Sequence, residues 1–261
     1  MHPNLRLRCA GRGGVVLNDR FARRPWSSAL TVWLIAIIAA LGLGVVVPSL
    51  AIIPLQRAGI GADQIASGWG RAVFSGYNEL VFGFSAALSW HTVARRWWVG
   101  GVWVWRYFGW GVIEGLGLAV LTSLAGVALL LLTGQRMPSD VGDLLNPVRH
   151  TPGALLVTLL LLLLIAPVME EWLFRGVLQT SLVRAMGTPA AIAVVALVFS
   201  GLHELDSAHP AQHPWLWLPI LPLALITGIV RSRTDSMSGN IGVHMGFNAW
   251  AIALIALKTW H

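Results

Sequence analysis

An all-α polytopic bundle of about seven membrane-spanning helices is the fold class this sequence predicts, on three observations. Hydrophobic residues make up 56% of the 261 and charged residues only 11%, with a mean hydropathy of +0.70. That balance suits neither a soluble core nor a disordered chain. The apolar residues fall into runs long enough to lie across a ~30 Å hydrocarbon layer as helices. Finally, 14 tryptophans suit the membrane interface, where an apolar ring bearing a polar N–H is well placed.

The formal charge of +7 does not mark a nucleic-acid partner. Its basic residues stand between the apolar segments, as topology anchors and as contacts for anionic membrane lipid. The single cysteine, Cys9, excludes an internal disulfide framework and a cysteine metal cluster.

Residues 1–28 form a basic stretch (Arg6, Arg8, Arg12, Arg20, Arg23, Arg24) without an apolar run, read as a cytoplasmic tail. A single membrane-embedded domain is expected over 29–261. Its first span, from Ser28 to Ile53, is too long for a cleavable signal core and ends near Pro48 and Pro54. A glycine-rich loop with Asp63 leads to a second span at Ala72–Val93. Arg95, Arg96 and Arg106, set in a run of aromatics, read as a cytoplasmic interfacial loop. The third span is Gly109–Thr133. The polar stretch Thr133–Thr151, in which Asp140 and Asp143 balance Arg136 and Arg149, is expected outside.

The fourth helix, Gly153 to Met186, would run about 50 Å at ~1.5 Å per residue, longer than the hydrocarbon core, so its Arg184 end should protrude. Pro167 should kink it and free backbone carbonyls. Gly187-Thr188-Pro189 reads as a tight turn into a fifth span, Ala190–Asp206. His209-Pro210 and His213-Pro214 flag a loop before a sixth, Trp215–Val230. Arg231 and Arg233 mark a cytoplasmic loop, and Asn240–Leu257 is the seventh span. Arginine placement then puts the N-terminus in the cytoplasm and the C-terminus outside, as expected of an integral protein of a bacterial inner (plasma) membrane. No internal repeat, linker or pair of broken helices points to a transporter.

The candidate chemistry begins with Ala166-Pro-Val-Met-Glu-Glu-Trp-Leu-Phe-Arg-Gly176. Ionisable residues inside a membrane segment are costly and mark function by default. Glu171 and Arg175 stand four apart on one helical face and can pair. Glu170 lies about 100° around the axis, so one glutamate can be neutralised while the other remains available. A purely structural ion pair accounts for these residues equally well.

The Gly187 turn gives a depth test. Glu170 lies 17 residues before it and His203 lies 16 after it, so an antiparallel hairpin sets the two level. Phe199, four before His203, shares its face and would wall the site. On the last span His244 and Asn248 are four apart. They fit either helix–helix hydrogen bonding or donors aimed at a developing oxyanion.

Glu170-Glu171-x-x-x-Arg175, Phe199-x-x-x-His203 and His244-x-x-x-Asn248, in this order on successive membrane helices, resemble the CAAX-protease and bacteriocin-processing family of glutamic intramembrane endopeptidases. The resemblance covers about 153–257 and includes Phe174-Arg175-Gly176, Pro167, and Gly239-Asn240 opening the last helix. It implies a site between the fourth, fifth and last helices. Glu170 would be the general base and His203 its partner in activating water. His244 and Asn248 would hold the water or the oxyanion, and Glu171 with Arg175 would be the orienting pair. It also implies a membrane-anchored or lipid-associated peptide substrate and no cofactor or metal. Such a base must sit near neutrality, as a partly buried glutamate can.

Other readings stand beside it. His203-Glu204 opens like a zincin motif, but Ser207 stands where the second histidine is required. Glu170, His203 and His244 would nevertheless make a three-ligand zinc site with a fourth position for water. A non-enzymatic immunity or scaffolding protein would keep the fold with incomplete motifs. Asn78, Glu79 and Glu114 fall inside expected spans, as cavity lining or as interhelical hydrogen bonds. His91, His150, His209 and His213 read as solvated loop residues.

Overall fold

The computed structural model describes residues 26–89, 103–137, 139–206 and 217–259. The basic tail, the Arg95–Arg96 part of the interfacial loop, and the His209–His213 loop lie outside these residues. Among the described residues the chain is helical and contains no strand.

The first expected span is a succession of helix α1 (Trp26–Leu41), a π-helical turn (Gly42–Val46) and α2 (Val47–Arg57). A short α3 (Ala62–Ile65) precedes α4 (Gly68–Ser89), and α5 covers Trp105–Thr133. Helix α5 ends where Gly134 takes the left-handed conformation (φ +72°) and its N–H caps the Leu130 carbonyl, a stop that favours glycine. Three helices among the described residues are long and apolar enough to cross a membrane: Trp105–Thr133, Pro152–Met186 and Met237–Leu257. Leu30–Gly44 and Thr188–His203 are shorter apolar helices. Large apolar side chains cover the outside of the bundle, with Leu131 80% and Leu132 84% exposed. Water would not support such a continuous apolar exterior; the acyl chains of a bilayer do. The chain is an integral membrane protein.

The stretch from Thr133 to Thr151 is more structured than a polar loop. Ser139 caps α6 (Asp140–Leu145), its hydroxyl accepting from the Gly142 N–H at 3.1 Å. Val141 and Leu145 pack with Leu162, against Ile252 and Ile255 of the last helix. The Asp/Arg balance of this stretch hid the i, i+4 apolar pair that docks it.

The long helix Pro152–Met186 is not uniform. It runs as α7 (Pro152–Leu160), a π-helical turn (Leu161–Ile165), α8 (Ala166–Glu171), a second π-helical stretch (Trp172–Gln179) and α9 (Thr180–Met186). The first wide turn directly precedes Pro167, which has no N–H to donate to the turn before it. In the second, the Thr180 hydroxyl donates to the Arg175 carbonyl five residues earlier. Gly187, at φ +86°, makes the turn into α10 (Thr188–Asp206), a backbone state that glycine tolerates without a Cβ penalty. Helices α11 (Trp217–Thr234) and α12 (Met237–Thr259) complete the chain.

Two packing features fix where the polar residues stand. Phe174, Val177, Val195 and Phe199 bury together with Val32 of α1 and Ala224 of α11, clamping the long helix against α10. Helices α5 and α12 meet backbone to backbone through Gly111, Gly115, Gly242 and Gly246. A methyl at Gly115 would collide with the Val243 carbonyl oxygen, and one at Gly246 with the Val112 carbonyl oxygen. These two small-xxx-small pairs interlock and leave α12 one rotation about its axis, the one that turns His244 inward.

Candidate active site

Glu171 is fully buried and makes three polar contacts. Its Oε1 pairs with Arg175 Nη1 at 3.1 Å and meets His244 Nδ1 at 3.1 Å. Its Oε2 accepts from the Asn240 amide at 2.7 Å. Arg175, also fully buried, donates through Nη2 to the Ala224 carbonyl of α11 at 3.1 Å. The guanidinium lies over the Phe199 ring, 4.5 Å from its centroid, a cation–π arrangement strengthened by exclusion of water. The i, i+4 pairing thus forms across the start of the wide turn.

Glu170 faces other partners. Its Oε2 stands 3.9 Å from His203 Nε2 and 3.8 Å from His244 Nε2. Glu170 and His203 meet across the Gly187 hairpin at the level that their equal distances from the turn predict. Both imidazoles are held from behind. His203 Nδ1 lies 2.9 Å from the Phe199 carbonyl oxygen, which can only accept, so Nδ1 carries the hydrogen. His244 Nδ1 donates in the same way to the arginine-paired Glu171 carboxylate. In the neutral rings both Nε2 atoms then present lone pairs toward Glu170. Phe199 walls the cluster, stacked on His203 at 4.4 Å and edge-on to Phe174 at 4.9 Å.

Asn248 joins the same cavity, but its amide donates to the Leu162 carbonyl at 2.9 Å. That carbonyl belongs to the wide turn ahead of Pro167, so the helix defect and the asparagine answer each other. One of the two amide hydrogens is engaged in this contact between helices.

Sequence reasoning missed Asn240 as a site residue, having read it only as the opening of a helix. The signal was present: Asn240, His244 and Asn248 recur at intervals of four, a single helical face. Gln179, four after Arg175, also escaped notice; its amide donates to the Gly228 carbonyl and to Ser232 Oγ, both at 3.0 Å. Of the polar residues left open, Glu79 lines the same cavity as Glu170, whereas Glu114 lies in a separate groove.

The cavity measures about 730 Å³ and runs between α5 and α12, from Glu170, His203 and His244 to Arg136 and Ser139. Its walls are mostly apolar, as in most small-ligand and peptide sites. No group of three or more His, Cys, Asp or Glu side chains among the described residues is arranged to hold a metal ion. What the cluster holds is one carboxylate oxygen and two imidazole nitrogens at spacings too long for direct hydrogen bonds and suited to a shared water.

Residues 152–250 match the family model described as Rce1-like, type II CAAX prenyl endopeptidase. Over that stretch the match bears out the resemblance read from the three motifs. No curated protein and no solved structure matches the chain.

Proposed function

From the CAAX-endopeptidase match over residues 152–250, we propose that the chain hydrolyses a peptide bond of a membrane-associated substrate with water activated by Glu170. The observation that carries this reading is the convergence of two back-tethered imidazoles on the Glu170 carboxylate at 3.8 and 3.9 Å. A water bound there gives one hydrogen to Glu170 Oε2 and the other to an Nε2 lone pair. As its oxygen bonds to the scissile carbonyl carbon, Glu170 takes the proton and later returns it to the departing amine as the C–N bond breaks. The second amide hydrogen of Asn248 serves the oxyanion in this reading. Glu171 and Arg175 act from outside the reaction, holding His244 in the tautomer the step requires.

The substrate is a membrane-anchored peptide that enters along the cavity from its Arg136 end. In this reading the seven spans are α1 with α2, α4, α5, Pro152–Met186, α10, α11 and α12. With arginine-rich ends inside, the N-terminus is cytoplasmic, the membrane is a bacterial inner membrane, and the Arg136 end faces outward. Thr133→Cys on a Cys9→Ser background checks the orientation, because an impermeant thiol reagent should label it in intact cells. Labelling only after permeabilisation would invert the whole arrangement.

The reaction itself is tested with purified protein and membrane-anchored peptides carrying a fluorescent reporter. Cleavage is expected, and EDTA or phenanthroline should leave the rate unchanged, because Glu170 and two histidines suffice to activate water. Activity lost with the chelator and restored by adding zinc back would assign the same three side chains to a metal instead.

A further inference from the structure

A second cavity of about 620 Å³ opens on the other side of the bundle, between α5 and α11. It shares no lining residue with the Glu170 cavity, and the reaction proposed above leaves it unexplained. Two charges line it, Glu114 of α5 and Arg233 of α11. Both are exposed, and among the described residues they form no ion pair with each other. The contrast with Arg231 is informative, because that arginine turns inward and pairs with Asp235 at 2.7 Å.

The depth of these charges follows from the sequence of α5. From Gly115 to Leu132 the helix is uncharged, a run of about 27 Å at ~1.5 Å per residue, which nearly fills a ~30 Å hydrocarbon layer. Glu114 therefore stands at the edge of that layer. Arg233 is one residue from the end of α11. Tyr107 and Trp110, also in the groove, are the residue types that favour this level. Beyond the charges the floor continues into the apolar layer as Leu118, Leu121 and Ile226.

A groove with an anion and a cation at headgroup depth, each without a counter-ion among the described residues, and an apolar floor below is complementary to one class of molecule. We propose that it binds a zwitterionic phospholipid. Arg233 takes the phosphate and Glu114 the headgroup ammonium beside Trp110, where an aromatic face adds to the attraction. One acyl chain lies along Leu118, Leu121 and Ile226. An anionic phospholipid would satisfy Arg233 but place a second negative charge near Glu114, so the pair of charges selects against it.

The test is lipid retention by the full-length protein, delipidated in detergent and read by native mass spectrometry against phosphatidylethanolamine and phosphatidylglycerol of matched chains. The parent protein is expected to prefer phosphatidylethanolamine by about 5-fold, the effect of one partly exposed charge contact. Glu114→Gln should abolish the preference while retaining binding, and Arg233→Gln should weaken both lipids. Glu114→Lys should reverse the preference toward phosphatidylglycerol, a gain that misfolding cannot imitate. Equal retention of the two lipids by the parent, or a preference unchanged in Glu114→Gln and Glu114→Lys, overturns the proposal in favour of ordinary annular lipid. Peptide cleavage plays no part in this readout, so the site stands or falls apart from the catalytic assignment.

Discussion

Glu170→Gln is expected to abolish peptide cleavage, by at least ~10²-fold, while the protein folds and melts as the parent does. The size follows from removing a general base without altering the shape of the site. A glutamine at this position still fills the space between His203 and His244, and its amide can donate to an Nε2 lone pair. The contacts from Glu170 to the two imidazoles lie at 3.8 and 3.9 Å, beyond direct hydrogen-bonding distance, and the change leaves the Glu171–Arg175 pair in place. Activity and stability should therefore separate: detergent-solubilised Tm unchanged, and turnover of a membrane-anchored peptide lost. Normal cleavage by a well-folded Glu170→Gln protein would remove Glu170 from the chemistry and pass the base role to another group in the cavity.

The parts of this site that were legible in the sequence share one property: they depend on intervals along a single helix or on distance from one turn. Glu171 and Arg175 pair because four residues bring them to one face. His203 meets Glu170 because Gly187 lies almost midway between them. What escaped depends on how helices rotate against each other. His244 could be assigned to the site, but not to Glu171 as its anchor, because that contact is set by the glycine packing of α5 against α12. Asn248 was open between two roles, and its bond to Leu162 arises only because the helix widens before Pro167. A wide turn adds a residue to the repeat, so it has no signature in apolar periodicity. The Thr133–Thr151 stretch was misjudged for a related reason: its charges are evenly spread, and the two side chains that dock α6 are few. The three long apolar helices were plain from hydropathy. Spans were also expected where α1, α4, α10 and α11 stand; of these, the apolar stretches Leu30–Gly44 and Thr188–His203 are short, so hydropathy marks them less plainly.

The adjacent carboxylate should behave in the opposite way to Glu170. Glu171→Gln leaves Arg175 without its counter-charge in a site where both side chains are fully buried. Breaking one side of a buried pair costs about 3–5 kcal/mol, which corresponds to a fall in Tm of about 10 °C. Arg175→Gln should produce a similar loss, since it also removes the bond to the Ala224 carbonyl and the stacking on Phe199. Combining the two should be less damaging than their sum, because no lone charge then remains to be accommodated in a dry site. Activity should not recover with stability. In the double variant the amide at 171 keeps one acceptor oxygen, where the carboxylate gave Asn240 and His244 one each, and its NH2 is left facing one of these two donors. The prediction is thus a partial rescue of Tm without rescue of cleavage, measured on the four proteins side by side. If the double variant loses as much stability as the two single changes added together, the charges do not act as a pair. If well-folded Glu171→Gln is inactive while Glu170→Gln cleaves normally, the two glutamates exchange roles.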